Sequence, residues 1–98
     1  MNNVSEIILF QLGGIRFAAK TGANSFIGSS MGLMCSLPIT PKNKANKLRV
    51  LKKSANDSLY VVEFAHVEGS NVTYISKHED VCERKLQKLF TEQTGLHI

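Results

Sequence analysis

Six of the chain's twelve basic residues, Lys42, Lys44, Lys47, Arg49, Lys52 and Lys53, lie in one acid-free stretch, PKNKANKLRVLKK (41–53). Side chains of this type and density neutralise phosphates or steer an acidic protein onto a surface. If all six met phosphates, log K would fall against log salt with a slope of about −5. The stretch contains no aromatic residue, and Tyr60 and Tyr74 are the only candidates for exposed rings. Single-stranded bases are usually held by stacking on such rings. The order of preference is therefore plain solvated structure, then an acidic protein partner, then nucleic acid. Residues 41–46 read as a mobile, solvated loop. Residues 47–53 read as a strand whose cations flank an apolar face and guard an edge.

Other chemistry is weaker. KTGANSFIGSSMG is glycine-rich, but a phosphate-binding loop needs Gly-x4-Gly-Lys-Ser/Thr opening into a helix. Here no lysine follows Gly28 and a strand comes next, so the stretch reads as a hairpin connection. No nucleophile-elbow or cysteine-centred motif accompanies His66, His78 or His97. His66 and Glu63 are three apart on a strand and so point to opposite faces. His78 reads as a surface or helix-start residue. Glu79, Asp80 and Glu83 read as the acidic first turns of a helix, favoured by its macrodipole, rather than as a metal cluster. Cys35 and Cys82 lie among apolar neighbours with no zinc-type spacing, so both read as buried thiols. No catalytic set, metal or cofactor is expected.

The elements that must position these residues follow from periodicity. NNVSEIILFQLGG reads as a short helix, capped by Asn3 with Glu6 three residues on, burying Val4, Ile7, Ile8 and Leu12. Gly13 and Gly14 stop it. IRFAAK (15–20) reads as a strand. Phe26 and Ile27 are expected to tuck onto the core. LMCSL (33–37), KLRVLKK (47–53), SLYVVEFAHV (58–67) and VTYISK (72–77) read as strands, with SAND (54–57) a turn and EGSN (68–71) a hairpin loop. The last helix starts at a Ser76-x-x-Glu79 capping box, carries Cys82, Leu86, Leu89, Phe90 and Gln93 on one stripe, and ends at Gly95 with Leu96 folded back. The fold class is α+β: an N-terminal helix, a meander-like antiparallel sheet of about five strands and a C-terminal helix, with the helices on one face.

Residues 1–98 form one domain, enough to bury roughly 60–70% of the unfolded surface. The 43% hydrophobic and 20% charged shares suit a globular protein. No stretch approaches the roughly 18 apolar residues of a membrane span. The first residues lack the basic-then-apolar order of a secretory signal, which points to the cytoplasm. Residues 1–56 carry eight cations and one acid, residues 57–98 four cations and seven acids. That asymmetry predicts a basic and an acidic face, provided the two halves do not interleave.

The segments QLGGIRF, TGANSF, SLP, KANKLRV, SLYVVEF and LQKLFTEQTGL occur in this order in a group of small phage and conjugative-element proteins. The chain resembles that group along nearly its whole length, most specifically in QLGG-x-RF and LFTE-x-TGL. No activity or fold is established for the group, so no site residue is carried over. The resemblance implies a mobile-element accessory protein of a bacterial cytoplasm. With no catalytic set in view, the expected function is a non-enzymatic protein-binding module, for instance an inhibitor of a host defence or regulatory complex. The six cations at 42–53 are its expected contact surface, and nucleic-acid binding is the alternative. The helix–strands–helix order also resembles double-stranded-RNA-binding domains. Those place lysines at the start of the last helix, where this chain has Glu79, Asp80 and Glu83. A monomer, or a homodimer formed through an edge strand, is expected.

Overall fold

Apolar spacing of four draws the first helix onto a sheet. In α1 (Asn3–Leu12), Ile8 and Leu12 are buried and Val4 is packed beside them. Ile7 falls at the rim of that stripe and stays exposed. The computed structural model describes residues 3–54, 56 and 58–98. The cap expected of the Asn3 side chain, and Ala55 and Asp57 of the SAND turn, lie outside them.

The chain does not become a strand after Gly13 and Gly14. It re-enters a helix, α2 (Ile15–Thr21), whose buried residues are Phe17 and Thr21. The apparent alternation of IRFAAK misleads. Ala18 and Ala19 are strong helix formers, and the Phe17–Thr21 spacing of four is one helical turn. The glycine-rich stretch holds the first strand, β1 (Asn24–Gly28), followed by β2 (Gly32–Ser36), β3 (Lys47–Lys52), β4 (Tyr60–Glu68) and β5 (Asn71–Val81). All neighbours pair antiparallel in the order β1-β2-β3-β4-β5, so the sheet is a simple meander.

β5 runs past the expected helix start. Ser76 and Glu79 are strand residues, not a capping box, and His78 pairs with Val62 inside the sheet. Helical structure begins only with a 3-10 turn at Glu83–Lys85, followed by α3 (Leu86–Thr94). Capping-type residues also suit strand ends, and cross-strand pairing with the strongly β-forming 60–68 segment overrode the local signal. Two bulges let β5 bend round the core, one at Ile75 and one at Asp80, which takes a φ of 57°.

α2 and α3 end in the same way. In FAAKTG and FTEQTG, a buried phenylalanine is followed four residues later by a buried threonine, then by glycine. The Thr21 and Thr94 hydroxyls donate to the Phe17 and Phe90 carbonyls at 2.5 and 2.8 Å. Each hydroxyl also accepts the backbone N–H of Ala23 or Leu96. Gly22 and Gly95, at φ 80° and 73°, close the helices in the left-handed conformation. The two phenylalanines meet edge to face with centroids 5.0 Å apart. Phe17 also contacts Phe26 of β1, and Phe90 contacts Phe64 of β4. Phe26 therefore tucks inward as its apolarity demands, whereas Ile27 points the other way and is exposed.

All helices cover one face of the sheet, and none among the described residues is long and apolar enough to cross a membrane. Phe90→Ala should lower the unfolding free energy by about 3–5 kcal/mol in urea denaturation, because the vacated space is walled by two other rings. A loss under about 1 kcal/mol would mean that the aromatic chain is not the core's centre.

Candidate functional site

Strand register builds a surface on the sheet face that no helix covers. Paired positions put Ile27, Met34, Arg49, Glu63 and Lys77 in one row across all five strands. Ser36, Lys47, Ala65 and Tyr74 form the next row. Between and beside these rows runs a groove of about 220 Å³, with Ile27, Met34, Val67, Val72 and Tyr74 as its apolar walls. Ile27 is 59% exposed and Tyr74 61%. An apolar strip on an otherwise polar face is where partners dock.

The groove's charges are unequal. Arg49 Nη2 lies 2.6 Å from Glu63 Oε1, and its Nε donates to the same oxygen at 2.7 Å. Glu63 is only 8% exposed, so the pair sets the groove's floor. Lys47 Nζ donates to Ser36 Oγ at 2.7 Å. Lys77 stands beyond Glu63 in the same row. Three cations thus stand in these rows with Glu63, which Arg49 already holds, and the Lys77 charge acts on Glu79 two residues along β5. Among the described residues no carboxylate forms an ion pair with Lys47 or Lys77.

The six cations expected to act together are not gathered on one patch. Only Lys47 and Arg49 enter the groove. Lys42 lies against Gly95 at the C-terminal end of α3, where a cation suits the helix dipole. Lys44 is exposed in the loop, and its carbonyl accepts the Nδ1–H of His66. Lys52 ends β3 on the parity of the buried Leu48 and Val50. Lys53 hydrogen-bonds Glu79 at 3.1 Å and approaches Asp80 at 3.6 Å. The two halves of the chain interleave through β3 and β4, so the sequence asymmetry makes no basic and acidic faces.

Residues 41–46 are a loop solvated only in part, with Pro41, Lys42 and Lys44 exposed and Asn43 and Ala45 buried. Asn43 is fully buried, and its amide donates to the Pro38 and Ala45 carbonyls while its oxygen accepts the Ala45 N–H. Asn46 binds the N–H and C=O of Val67 with its side chain. Asn43 thus ties the loop to itself, and Asn46 ties it to β4. The sequence signal was there, since a side-chain amide can copy a backbone peptide, but nothing in the sequence names the partner.

The remaining candidates resolve individually. His66 and Glu63 do face opposite ways, with His66 across from Thr73 and Glu63 across from Lys77. His78 is neither surface nor helix-start: its ring meets Phe64 edge to face on the helix-covered side. Glu83 accepts a hydrogen bond from Gln11, whose oxygen in turn accepts from Tyr60. Burial pushes the Tyr60 hydroxyl above its ordinary range despite that bond. Glu79, Asp80 and Glu83 therefore serve two different tasks, and no group of three metal-ligating side chains occurs among the described residues. Both cysteines are free thiols; Cys35 is buried and Cys82 only half-buried. Burial pushes the Cys35 thiol up to about 12, with the Lys47 charge opposing. On α1, Ile7 and Phe10 line a second shallow surface, with Phe10 80% exposed, and Ile15 at the start of α2 is 89% exposed.

Two measurements test this description. A thiol reagent at about pH 8 should modify Cys82 in the native protein and reach Cys35 only after unfolding. Rapid modification of both would show that Cys35 is not sealed. The hydrogen bond and charge of Lys53 hold Glu79 below the ordinary carboxylate range, and Glu79 and Asp80 raise Lys53. The stabilisation tied to Glu79 is then present above the ordinary carboxylate range and lost as pH falls through its lowered value. That tied to Lys53 is complete below the ordinary lysine range and lost as pH rises through its raised value. In an NMR titration, the Glu79 midpoint should rise in Lys53→Met; an unmoved midpoint would mean the pair does not form in solution.

Comparison with protein-family models, with curated proteins and with solved structures gives no match to this chain.

Proposed function

We propose that the chain is a non-enzymatic protein-binding module that takes an acidic, partly apolar segment of a partner onto the helix-free face of its sheet. The observation that carries this reading is the groove between Ile27 and Tyr74, apolar at its walls, lined by the Arg49–Glu63 pair and by Lys47, which has no carboxylate ion-pair partner among the described residues. An apolar side chain of the partner fills the groove while its carboxylate meets Lys47. Charge of one sign beside an apolar strip steers encounter and selects partners. The absence of a nucleophile–base pairing in the sequence motifs supports a binding role over catalysis. A thiol held at about 12 is not an activated nucleophile.

The alternative, nucleic acid, has less support. One ring, Tyr74, stands on the open face, and the six cations are dispersed over both faces and the sheet's ends, so no continuous phosphate track forms. Origin in a mobile element, a bacterial cytoplasmic setting and a role as inhibitor of a host defence or regulatory complex rest on the sequence resemblance. They belong to this proposal as its biological setting.

A displayed library of random peptides is a direct probe. Sequences enriched on the wild type should combine Asp or Glu with apolar residues. Their affinity should fall about tenfold or more in Lys47→Glu and in Ile27→Asp, where like charge or a lost wall opposes docking, and stay unchanged in Phe10→Ala on α1. Enrichment of no sequence, or of sequences indifferent to the two groove variants, would end the proposal. Gel shifts with duplex and single-stranded probes at about 50 mM salt, showing salt-steep binding, would favour the alternative.

A further inference from the structure

β5 is an outer strand of eleven residues with one neighbour, β4. Outer strands usually carry charges, proline or bulges that discourage pairing with another chain. Its far half has such devices: Lys77, Glu79 and Asp80, with the bulge at Asp80. Its near half, Asn71 to Tyr74, has none before the bulge at Ile75. Gly69 to Ser76 are uncharged, and residues 71–75 are all exposed.

Hairpin geometry fixes which backbone groups face outward. β4 and β5 are joined by the two-residue loop Gly69–Ser70, with Gly69 at φ 61°. A loop of that length makes its flanking residues, Glu68 and Asn71, a hydrogen-bonded pair. Alternation then turns the N–H and C=O of Asn71 and Thr73 toward β4, and those of Val72 and Tyr74 outward.

We propose that this edge pairs antiparallel with the same edge of a second copy, about a two-fold axis at Thr73, joining two five-stranded sheets into one. The register is self-consistent. Val72 of one copy opposes Tyr74 of the other, so the four outward-facing residues form two hydrogen-bonded pairs and Thr73 meets Thr73 between them. Val–Tyr and Thr–Thr are favourable cross-strand neighbours. The charges also match. Continued past the Ile75 bulge, the strand brings Lys77 of each copy near the hairpin of the other, at whose base the Glu68 carboxylate is 86% exposed. A two-fold contact needs a surface complementary to itself, and this edge is neutral at its centre, with Lys77 toward one end and Glu68 at the other, while Glu79 and Asp80 beyond Lys77 are held by Lys53 of their own copy. The proposal goes beyond the peptide-binding reading. It sets the two grooves side by side, and either can fail without the other.

Sedimentation velocity of the full chain over a range of concentrations should show a monomer–dimer equilibrium. Thr73→Lys, which puts two like charges face to face on the axis, should weaken dimerisation at least about tenfold while the circular dichroism spectrum is unchanged. In a Cys82→Ser background, Thr73→Cys should give a disulfide-linked dimer under mild oxidation, because residues in a non-hydrogen-bonded pair have Cα atoms about 4.5 Å apart. Asn71→Cys should not. A wild type that stays monomeric at every concentration overturns the proposal, and so does a dimer that Thr73→Lys leaves intact or one trapped equally by Asn71→Cys.

Discussion

The edge-to-face contact of Phe17 with Phe90 is the interaction on which the other contacts depend. It joins two helices from opposite ends of the chain, α2 and α3, at one point above the sheet. Phe26 and Phe64 extend it into β1 and β4. An aromatic pair of this kind is worth about 0.5–1.5 kcal/mol beyond its burial. Its larger effect is positional. The matching Phe-x-x-x-Thr-Gly endings stop both helices one turn past their rings, so each chain exit is held by a buried threonine instead of by solvent.

With every helix gathered over that ring cluster, the other side of the sheet is left to side-chain alternation. Odd positions of β3 and β4 carry Lys47, Arg49 and Glu63 outward while Leu48, Val50, Val62 and Phe64 go in. The outward set is neither a plain polar surface nor a core. It keeps one half-sealed ion pair, a lysine, Lys47, with no carboxylate ion pair among the described residues, and an apolar margin. Such a mixture is expensive to leave bare in a free-standing domain.

The secondary structure was legible where one period dominated. Ile8 and Leu12 are buried and Gly95 ends α3 where pattern and propensity place them, and the strands expected over 47–53 and 58–67 run over 47–52 and 60–68. Misreadings occurred where two local signals competed. IRFAAK alternates over a few residues yet buries only Phe17 and Thr21. Ser76-x-x-Glu79 has the form of a cap yet lies in a strand, because the pairing of β5 with β4 along its length outweighs a cap's hydrogen bonds. The basic stretch was legible as composition and not as a surface, since residues adjacent in sequence alternate faces in a strand and diverge in a loop.

The amino-acid sequence alone determined the fold class, the meander and the helix-covered face, because these follow from periodicity and short connections. Only the tertiary structure decided which charges are spent on the chain itself and which remain for others. Arg49 meets Glu63, and Lys53 meets Glu79, across distances in sequence that no pattern encodes. Register is the physical reason: a one-residue slip would exchange the faces of a strand, so the surface exists only once every strand has found its neighbour.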